Sequence, residues 1–191
     1  MLGVILCGGE STRMGRDKGL IPDATQTWAE LAFKKMATLG IPVVFSVNSR
    51  QLPHYAQLFD REQLMPDDPI LLVKGPLLGL LSVHIQAPTE DLFVLACDLP
   101  FMDPTLLQDL YTRQNLHKDA QAYLYTFDEE PEPLCGIYSA PGLARITGQY
   151  HAGKLTRHSM KYALEQLAVD SIPVPEDKKR CFENFNYPLA S

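Results

Sequence analysis

Short, almost entirely apolar runs recur along the chain and predict buried β-strands. The clearest are followed by turns that contain glycine or polar residues: Leu2–Leu6, Val43–Val47 and Leu92–Ala96. A strand with one face in water alternates apolar and polar residues, and these runs do not alternate. The pattern therefore indicates a parallel sheet whose two faces are both covered.

Segments with helical periodicity lie between these runs: Trp28–Leu39, Leu77–Ala87 and Pro104–Asn115. Asp103 and Pro104 have the order expected of an N-cap followed by the first helical residue. Gly40 lies where a helix would end, and Pro42 follows it. The alternation predicts an α/β fold: a single doubly wound, mostly parallel, Rossmann-like sheet with helices on both faces and right-handed crossovers.

The second half of the chain has a less regular pattern. It predicts strands, helices and a final strand in this order: Ala120–Tyr125, Leu134–Tyr138, Pro141–Tyr150, Thr156–Leu167 and Arg180–Phe185. The acidic segment Asp128–Glu132 should form the loop between the first two strands. Because no repeat or linker is visible, residues 1–191 are expected to form one domain.

Composition narrows the classes of partner. The 191 residues are 46% hydrophobic, which suffices for a buried core. No apolar run approaches the roughly 20 residues that cross a bilayer, and the N-terminus lacks the charged region of a signal peptide. The four cysteines are far apart, as expected of buried thiols in a reducing compartment. These features predict a cytoplasmic protein that does not bind membranes. Binding to nucleic acid is not expected either, because the net charge is −6 and the 17 Lys and Arg residues are scattered.

The segment Leu6–Gly19, LCGGESTRMGRDKG, is the strongest chemical signal. It follows the first strand directly, where open α/β sheets bind ligands. Gly8 and Gly9 allow a close backbone approach, and Arg13, Arg16 and Lys18 bring cations to phosphate oxygens. It is neither a Walker A loop nor a GxGxxG dinucleotide motif. A solvated charged loop, with Arg16 paired to Asp17, is the alternative.

Two further segments follow predicted strands or precede predicted helices. Asp98, directly after Leu92–Ala96 and Cys97, is suited to hold a divalent cation among phosphate oxygens. The alternative for an aspartate at a strand end is a cap or turn. The segment Lys74–Val83 contains a Gly75-Pro76 turn and Gly79, and its backbone could face a nucleobase. In isolation, it is also typical of a tight turn before a buried helix.

Together these motifs closely resemble the molybdenum cofactor guanylyltransferase family. That family has an LAGGxSxRMGxDK loop, a GPLAG turn, a CDxP metal segment, a P-x-[acl] strand and a C-terminal NxNTP-like segment. This chain has LCGGESTRMGRDK, GPLLG, CDLPFM, PEPLCGIY and FENFNYP in the family's order, over almost its whole length. Cys7 and Leu78 stand where the family has alanine, and Tyr187 stands where it has threonine.

The resemblance implies transfer of GMP from Mg²⁺–GTP to the molybdenum–molybdopterin cofactor, with release of pyrophosphate. By matching position, the residues expected to contact the nucleotide are Leu6, Cys7, Gly8, Gly9, Lys18, Asn48, Asp68 and Asp98. Asp98 would ligate Mg²⁺, and Arg13, Lys18 and Asp98 would serve catalysis. Asp68 is chosen for its offset from Gly75, although Asp67 follows a proline as in some relatives. Asn184 and Asn186 would serve the acceptor side, and transient contact with cofactor-carrying proteins is also expected.

The chemistry of this reaction fits the residues. A phosphate that attacks an α-phosphate is already ionised, so charge neutralisation matters more than a general base. The alternatives are a related nucleotidyltransferase with another base or acceptor (cytidylyl or sugar phosphate), or a non-catalytic nucleotide-binding regulator. The short interval from Arg13 to Lys18 argues against a sugar phosphate acceptor. Retention of both Lys18 and Asp98 argues against a regulator that has lost catalysis.

Overall fold

The structure, a computed structural model, describes residues 1–8, 17–23 and 25–183. Within these residues, nine strands are β1 (Leu2–Leu6), β2 (Pro22–Asp23), β3 (Gln26–Thr27), β4 (Val43–Val47), β5 (Leu64–Pro66), β6 (Leu92–Ala96), β7 (Ala122–Phe127), β8 (Glu130–Tyr138) and β9 (Val169–Pro173). Seven of them form one sheet in the order β5-β4-β1-β6-β8-β7-β9, and β2 pairs with β3.

The sheet is mostly parallel, as predicted. β4, β5 and β6 run in the same direction as β1, and only β8 is antiparallel among the described strands of this sheet. The chain moves outward from β1 to β4 and β5, and then returns to the other side of β1 at β6. The strand order therefore reverses beside β1, which is where open α/β sheets form their ligand crevice.

Helices cover both faces of this sheet. They are α1 (Trp28–Ala37), α2 (Leu52–Tyr55), α3 (Pro76–Gln86), α4 (Pro104–Leu116), α5 (Ala140–His151) and α6 (Met160–Leu164). Apolar residues of α1, α2 and α4 pack against one face, and those of α3, α5 and α6 pack against the other. Side chains of β1 alternate between these two cores, with Ile5 in the first and Val4 and Leu6 in the second. This double burial explains why its sequence does not alternate in polarity.

The local signals for helix ends are confirmed. Asp103 accepts a hydrogen bond from the Thr105 amide at 2.9 Å as the N-cap of α4. Gly40 has φ +69° just beyond α1, and Gly75 has φ +67° before Pro76. Glycine adopts such a backbone without the steric cost that a Cβ adds. A Cβ at Gly79 would overlap the Ser46 hydroxyl, so this glycine lets α3 pack closely on β4.

The expected final strand at Arg180–Phe185 is wrong in its described part. Residues Glu176–Phe182 form a 3₁₀ helix, and residues 184–191 lie outside the described part of the chain. Cys181 and Phe182 are buried, and Phe182 packs edge-on against Tyr125 with ring centroids 5.4 Å apart. The apolar pair that suggested a strand is therefore the buried face of a tight helical turn.

Candidate functional site

Four neighbouring strands end at the same side of the sheet, its carboxyl-terminal edge. A polar or glycine-containing segment follows each of them there. In the order β5-β4-β1-β6, the residues that follow their carboxyl ends are Asp67, Asn48, Cys7 with Gly8, and Cys97 with Asp98. Backbone hydrogen bonds extend the ladder beyond the strands, from the Cys7 amide to Ser46 and from the Cys97 amide to Leu6. The segments that the sequence analysis selected after β1 and β6 therefore lie side by side at the carboxyl ends of the strands.

Lys18 and Asp98 meet at this edge although 80 residues separate them. The Lys18 Nζ lies 2.9 Å from Asp98 Oδ2, and the two side chains are 25% and 18% exposed. Lys18 begins a short 3₁₀ helix, Lys18–Leu20, and Asp98 follows the central strand β6. A cation and a carboxylate held together at the carboxyl end of a strand can bind a phosphate and a metal ion side by side.

A buried glutamine that the sequence analysis missed connects three of these segments. The Gln51 Nε2 donates hydrogen bonds to the Cys7 carbonyl and to Asp17 Oδ2, both at 2.8 Å. Its Oε1 accepts one from the Asn48 amide at 2.9 Å. Gln51 lies in a loop without a motif, so only the distance of three residues from Asn48 could have drawn attention to it.

Asp17 is the second residue that sequence reasoning missed. Its Oδ1 accepts hydrogen bonds from the Gly19 amide at 3.0 Å and from the Tyr55 hydroxyl at 3.3 Å. The Tyr55 ring is fully buried and packs against Phe45 and Phe59. The position of Asp17 immediately before Lys18 was a usable signal, because an aspartate there can cap the turn that carries the lysine.

Asp67 lies beside Gly8, whereas the side chain of Asp68 is engaged in its own turn. A Cβ built on Gly8 would lie 3.8 Å from Asp67 Oδ2. Asp67 Oδ1 is buried and has no hydrogen-bond partner within the described residues. Asp68 Oδ1 accepts the Ile70 amide at 2.8 Å, and the Asp68 amide donates to Ser82 Oγ. The geometry favours Asp67 over Asp68, the residue preferred from sequence, as the acidic group of this site.

The environment of Asp67 is unfavourable to its ionised form. Burial raises the pKa of this carboxyl to about 6. A buried carboxylate oxygen without a partner is costly, because the charge has lost hydration and gained no hydrogen bond. Such a group is well suited to accept hydrogen bonds from a ligand.

The remaining predicted residues divide into placed and undescribed ones. Leu6 and Cys7 are buried, and Asn48 is half-buried, with its Oδ1 accepting the amides of Arg50 and Gln51 at 3.0 Å. The site residues that lie outside the described part of the chain are Gly9, Arg13, Arg16, Asn184 and Asn186.

All four cysteines are buried, as expected. The hydrogen bond with Cys7 and burial raise the pKa of the Cys97 thiol well above its ordinary value, which keeps it neutral beside Asp98. Across the described ranges, no three His, Cys, Asp or Glu side chains are grouped so that they could hold a metal ion. None of the helices found there is long and apolar enough to span a membrane.

Comparison with known proteins relates this geometry to a family. The model of the MobA-like NTP transferase domain matches residues 3–167. A probable molybdenum cofactor guanylyltransferase of Trichormus variabilis is 31% identical over 186 residues, covering 93% of this chain and 84% of that protein. One of Flavobacterium johnsoniae is 28% identical over 151 residues, covering 79% and 75%.

A solved structure shares the fold. Molybdopterin-guanine dinucleotide biosynthesis protein A from Archaeoglobus fulgidus superimposes with a TM-score of 0.77 at 22% identity, covering 98% of this chain and 93% of that one. The family match includes every described strand end that forms the candidate site. The chain therefore belongs to the MobA-like NTP transferase family.

Proposed function

We propose that this protein transfers GMP from Mg²⁺–GTP to the molybdenum–molybdopterin cofactor, forming its guanine dinucleotide and releasing pyrophosphate. The observation that carries the proposal is the meeting of Lys18 and Asp98 beside the Cys7–Gly8 turn. The relatives named as molybdenum cofactor guanylyltransferases support the same substrates. A cytoplasmic location and transient contact with cofactor-carrying proteins belong to the same proposal.

The reaction needs charge neutralisation more than proton transfer. An oxygen of the acceptor phosphate forms a bond to the α-phosphorus of GTP, and the bond from that phosphorus to the β-phosphate bridging oxygen breaks. The acceptor phosphate is ionised at neutral pH, so no general base is required. Lys18 supplies a cation to the triphosphate, and the Gly8 backbone brings an amide close to it. Arg13, from sequence, would add a second cation.

Asp98 is the residue that would hold the divalent metal ion, which the family generally uses and for which Mg²⁺ is our proposal. The fit rests on its position: the carboxylate is partly exposed at a strand end and already lies against a cation, Lys18. Without a group of three protein ligands among the described residues, the ion would be held largely by phosphate oxygens and water, as Mg²⁺ prefers. Bound there, the ion neutralises phosphate charge.

Asp67 is proposed to read the guanine base. The edge of guanine carries two adjacent donors, N1–H and the N2 amino group, and a carboxylate can accept from both. Adenine and cytosine do not present this pair. This role is supported by Oδ1 of Asp67, which lies near Gly8 and has no hydrogen-bond partner among the described residues. Asn48, whose carbonyl oxygen is engaged internally, would contact the nucleoside through Nδ2.

The deciding experiment measures pyrophosphate. The purified protein is incubated with Mg²⁺ and GTP, CTP or ATP, each with and without molybdenum–molybdopterin cofactor. Release that requires both GTP and the cofactor is expected. Equal turnover with CTP would overturn the guanylyl assignment, and release with a sugar phosphate in place of the cofactor would overturn the acceptor. Nucleotide binding without turnover under all conditions would favour a regulator.

A further inference from the structure

The side-chain amide of Gln51 makes three hydrogen bonds, with both of its donors and with its oxygen. Both Nε2 protons go to acceptors, Cys7 O and Asp17 Oδ2, and Oε1 accepts from the Asn48 amide. The reverse orientation of the amide would set a nitrogen against the Asn48 N–H and an oxygen against two acceptors, so the network fixes one orientation. The residue is only 8% exposed, and a buried polar side chain is stable there because it is satisfied.

The three hydrogen-bond partners of Gln51 belong to three different segments of the candidate site. Cys7 and Asn48 directly follow β1 and β4, and Asp17 directly precedes Lys18. The hydrogen bond to the Cys7 carbonyl also fixes the next peptide plane. Because a trans peptide is planar, the Gly8 N–H points away from Gln51. One side chain therefore sets the direction of a backbone donor and the position of a charged residue.

Asp17 transmits this constraint to Lys18. It is held by Gln51 on one oxygen and by the Gly19 amide and the Tyr55 hydroxyl on the other. The next residue, Lys18, reaches Asp98 at 2.9 Å. A displacement of Asp17 would move the base of the lysine side chain, and small misplacements of charged groups reduce catalysis strongly.

We infer that Gln51 is a positioning residue, which holds the Cys7–Gly8 peptide and, through Asp17, Lys18 in the geometry that receives the triphosphate. This inference rests on the proposed nucleotidyl transfer. Gln51 need not touch the nucleotide, and it acts through the Cys7–Gly8 peptide and the Asp17–Lys18 segment.

The test uses a shape-preserving substitution. Gln51→Met keeps the length of the side chain and removes its three hydrogen bonds, and Gln57→Met makes the same change at an exposed position after α2. For Gln51→Met, we expect kcat/KM for GTP to fall about 30- to 100-fold, the upper part of the roughly 10- to 100-fold range that is typical when a residue orienting a metal-binding side chain is removed. For Gln57→Met, we expect a change of less than twofold. Melting temperature and equilibrium binding of Mg²⁺–GTP without acceptor are measured on the same samples.

A double-mutant cycle with Lys18→Ala separates positioning from general destabilisation. If Gln51 acts largely through Lys18, then Gln51→Met should lower kcat/KM less than fivefold in the Lys18→Ala background, because residues that act as a unit are not additive. A full 30- to 100-fold loss in both backgrounds would overturn this pathway. Unchanged binding and kinetics in folded Gln51→Met would overturn the inference itself.

A donor–acceptor exchange guards against failure to fold. In Gln51→Glu, two carboxylates face each other, and adding Asp17→Asn restores a donor at the position of Asp17 Oδ2. The double variant should regain part of the kcat/KM that Gln51→Glu loses, because the contact with Asp17 returns while the one with the Cys7 carbonyl stays broken. No regain in either kcat/KM or Mg²⁺–GTP binding would contradict the role of the Asp17 contact. If the unmodified protein binds Mg²⁺–GTP but does not transfer GMP, the proposed function fails. The binding measurements on Gln51→Met then still decide the positioning role.

Discussion

At the scale of single residues, the site is a set of charges with distinct environments. Asp98 and Lys18 neutralise each other at the carboxyl ends of the strands, whereas Asp67 is half-buried and its buried Oδ1 has no hydrogen-bond partner within the described residues. The two acidic side chains therefore favour different ligands. The paired, partly exposed carboxylate suits a metal–phosphate complex, and the desolvated one suits neutral donors such as the edge of a base.

Asp98→Asn should abolish turnover without unfolding the protein. The amide keeps the shape of the side chain but removes the charge that would hold Mg²⁺. We expect less than 1% of the original turnover and a flatter dependence of GTP binding on Mg²⁺, with binding itself still measurable. Asp109→Asn, on the exposed side of α4, is the matched control. A stable Asp98→Asn protein with full magnesium-dependent activity would return this residue to a turn-forming role.

Lys18→Ala should lower turnover by about two to three decades, the usual scale for one transition-state charge contact. The cost to stability should be small, about 1 kcal/mol or less, because the ion pair with Asp98 is partly exposed. Turnover and melting temperature are compared with those of Lys34→Ala on the surface of α1. Unchanged kinetics would mean that Lys18 belongs to a solvated loop.

Asp67→Asn should weaken discrimination between GTP and ATP by about 10- to 100-fold, since a good bidentate contact with a base contributes roughly 1–3 kcal/mol. Asp68→Asn is the matched control, because its amide oxygen can still accept the Ile70 N–H. Competition binding with the two nucleotides measures the effect. Loss of discrimination in Asp68→Asn alone would reverse the choice between the two aspartates.

Asp67 should also make stability depend on pH. Its folded pKa, about 6, lies above the ordinary value, so the folded state holds the proton more tightly. The stabilisation that the protonated carboxyl contributes is fully present below about pH 4. It is lost as the pH rises through 6. Asp67→Asn should therefore melt about 2–4 °C higher at pH 7.5, corresponding to about 1 kcal/mol after allowing for solvent screening. The difference should vanish near pH 4, and a constant difference at both pH values would contradict this origin.

At the scale of elements, the turn that carries Lys18 is fitted tightly to α2. A Cβ at Gly19 would overlap the Tyr55 hydroxyl, which is held among buried rings. The 3₁₀ helix Lys18–Leu20 can approach α2 this closely only because residue 19 has no side chain. The same approach lets Tyr55 reach Asp17.

Gly19→Ala should therefore destabilise the protein by about 1–3 kcal/mol, the usual cost of overpacking, and should lower nucleotide affinity with it. Tyr55→Phe removes the overlapping oxygen and should make the same alanine less costly. Gly148→Ala is the matched control: a Cβ there meets nothing within 4 Å on the exposed side of α5, so a gain of about 0.5–1 kcal/mol is expected. Urea unfolding compares Gly19→Ala, Tyr55→Phe, their double variant and Gly148→Ala with the unmodified protein. An equal cost of Gly19→Ala with and without the Tyr55 hydroxyl would exclude this overlap as the cause.

At the scale of the whole molecule, the central sheet was predictable because its strands carry the signal of double burial. β1, β4 and β6 were located to the residue. β5 and β9 were missed because edge strands obey other rules: β5 has three residues and ends in Pro66, and β9 alternates in burial. The loop expected at Asp128–Glu132 is shorter than predicted, since β8 begins at Glu130 and the turn uses left-handed Asp128 and Glu129.

The candidate site was predictable where a motif marks it, and not where only packing does. Lys18 and Asp98 follow from the glycine-rich loop and the strand-end aspartate, and their contact follows from the adjacency of β1 and β6. The choice between Asp67 and Asp68 depends on where β5 ends, which the sequence did not reveal. The role of Gln51 depends on contacts with residues 44 and 34 positions away. The roles of Gly9, Arg13, Asn184 and Asn186, like the single-domain organisation, stay predictions.

The ion pair at the sheet edge makes the site respond to two components together. A metal ion binding alone would have to compete with the Lys18 ammonium for Asp98. A triphosphate binding alone would have to compete with the Asp98 carboxylate for Lys18. A metal ion bound to Asp98 would free Lys18 for the triphosphate, and a triphosphate bound to Lys18 would free Asp98 for the metal ion. By thermodynamic reciprocity, the factor by which metal strengthens triphosphate binding equals the factor by which triphosphate strengthens metal binding. With the proposed assignment of the metal to Asp98 and of the triphosphate to Lys18, the site should bind the metal–nucleotide complex in preference to either component alone.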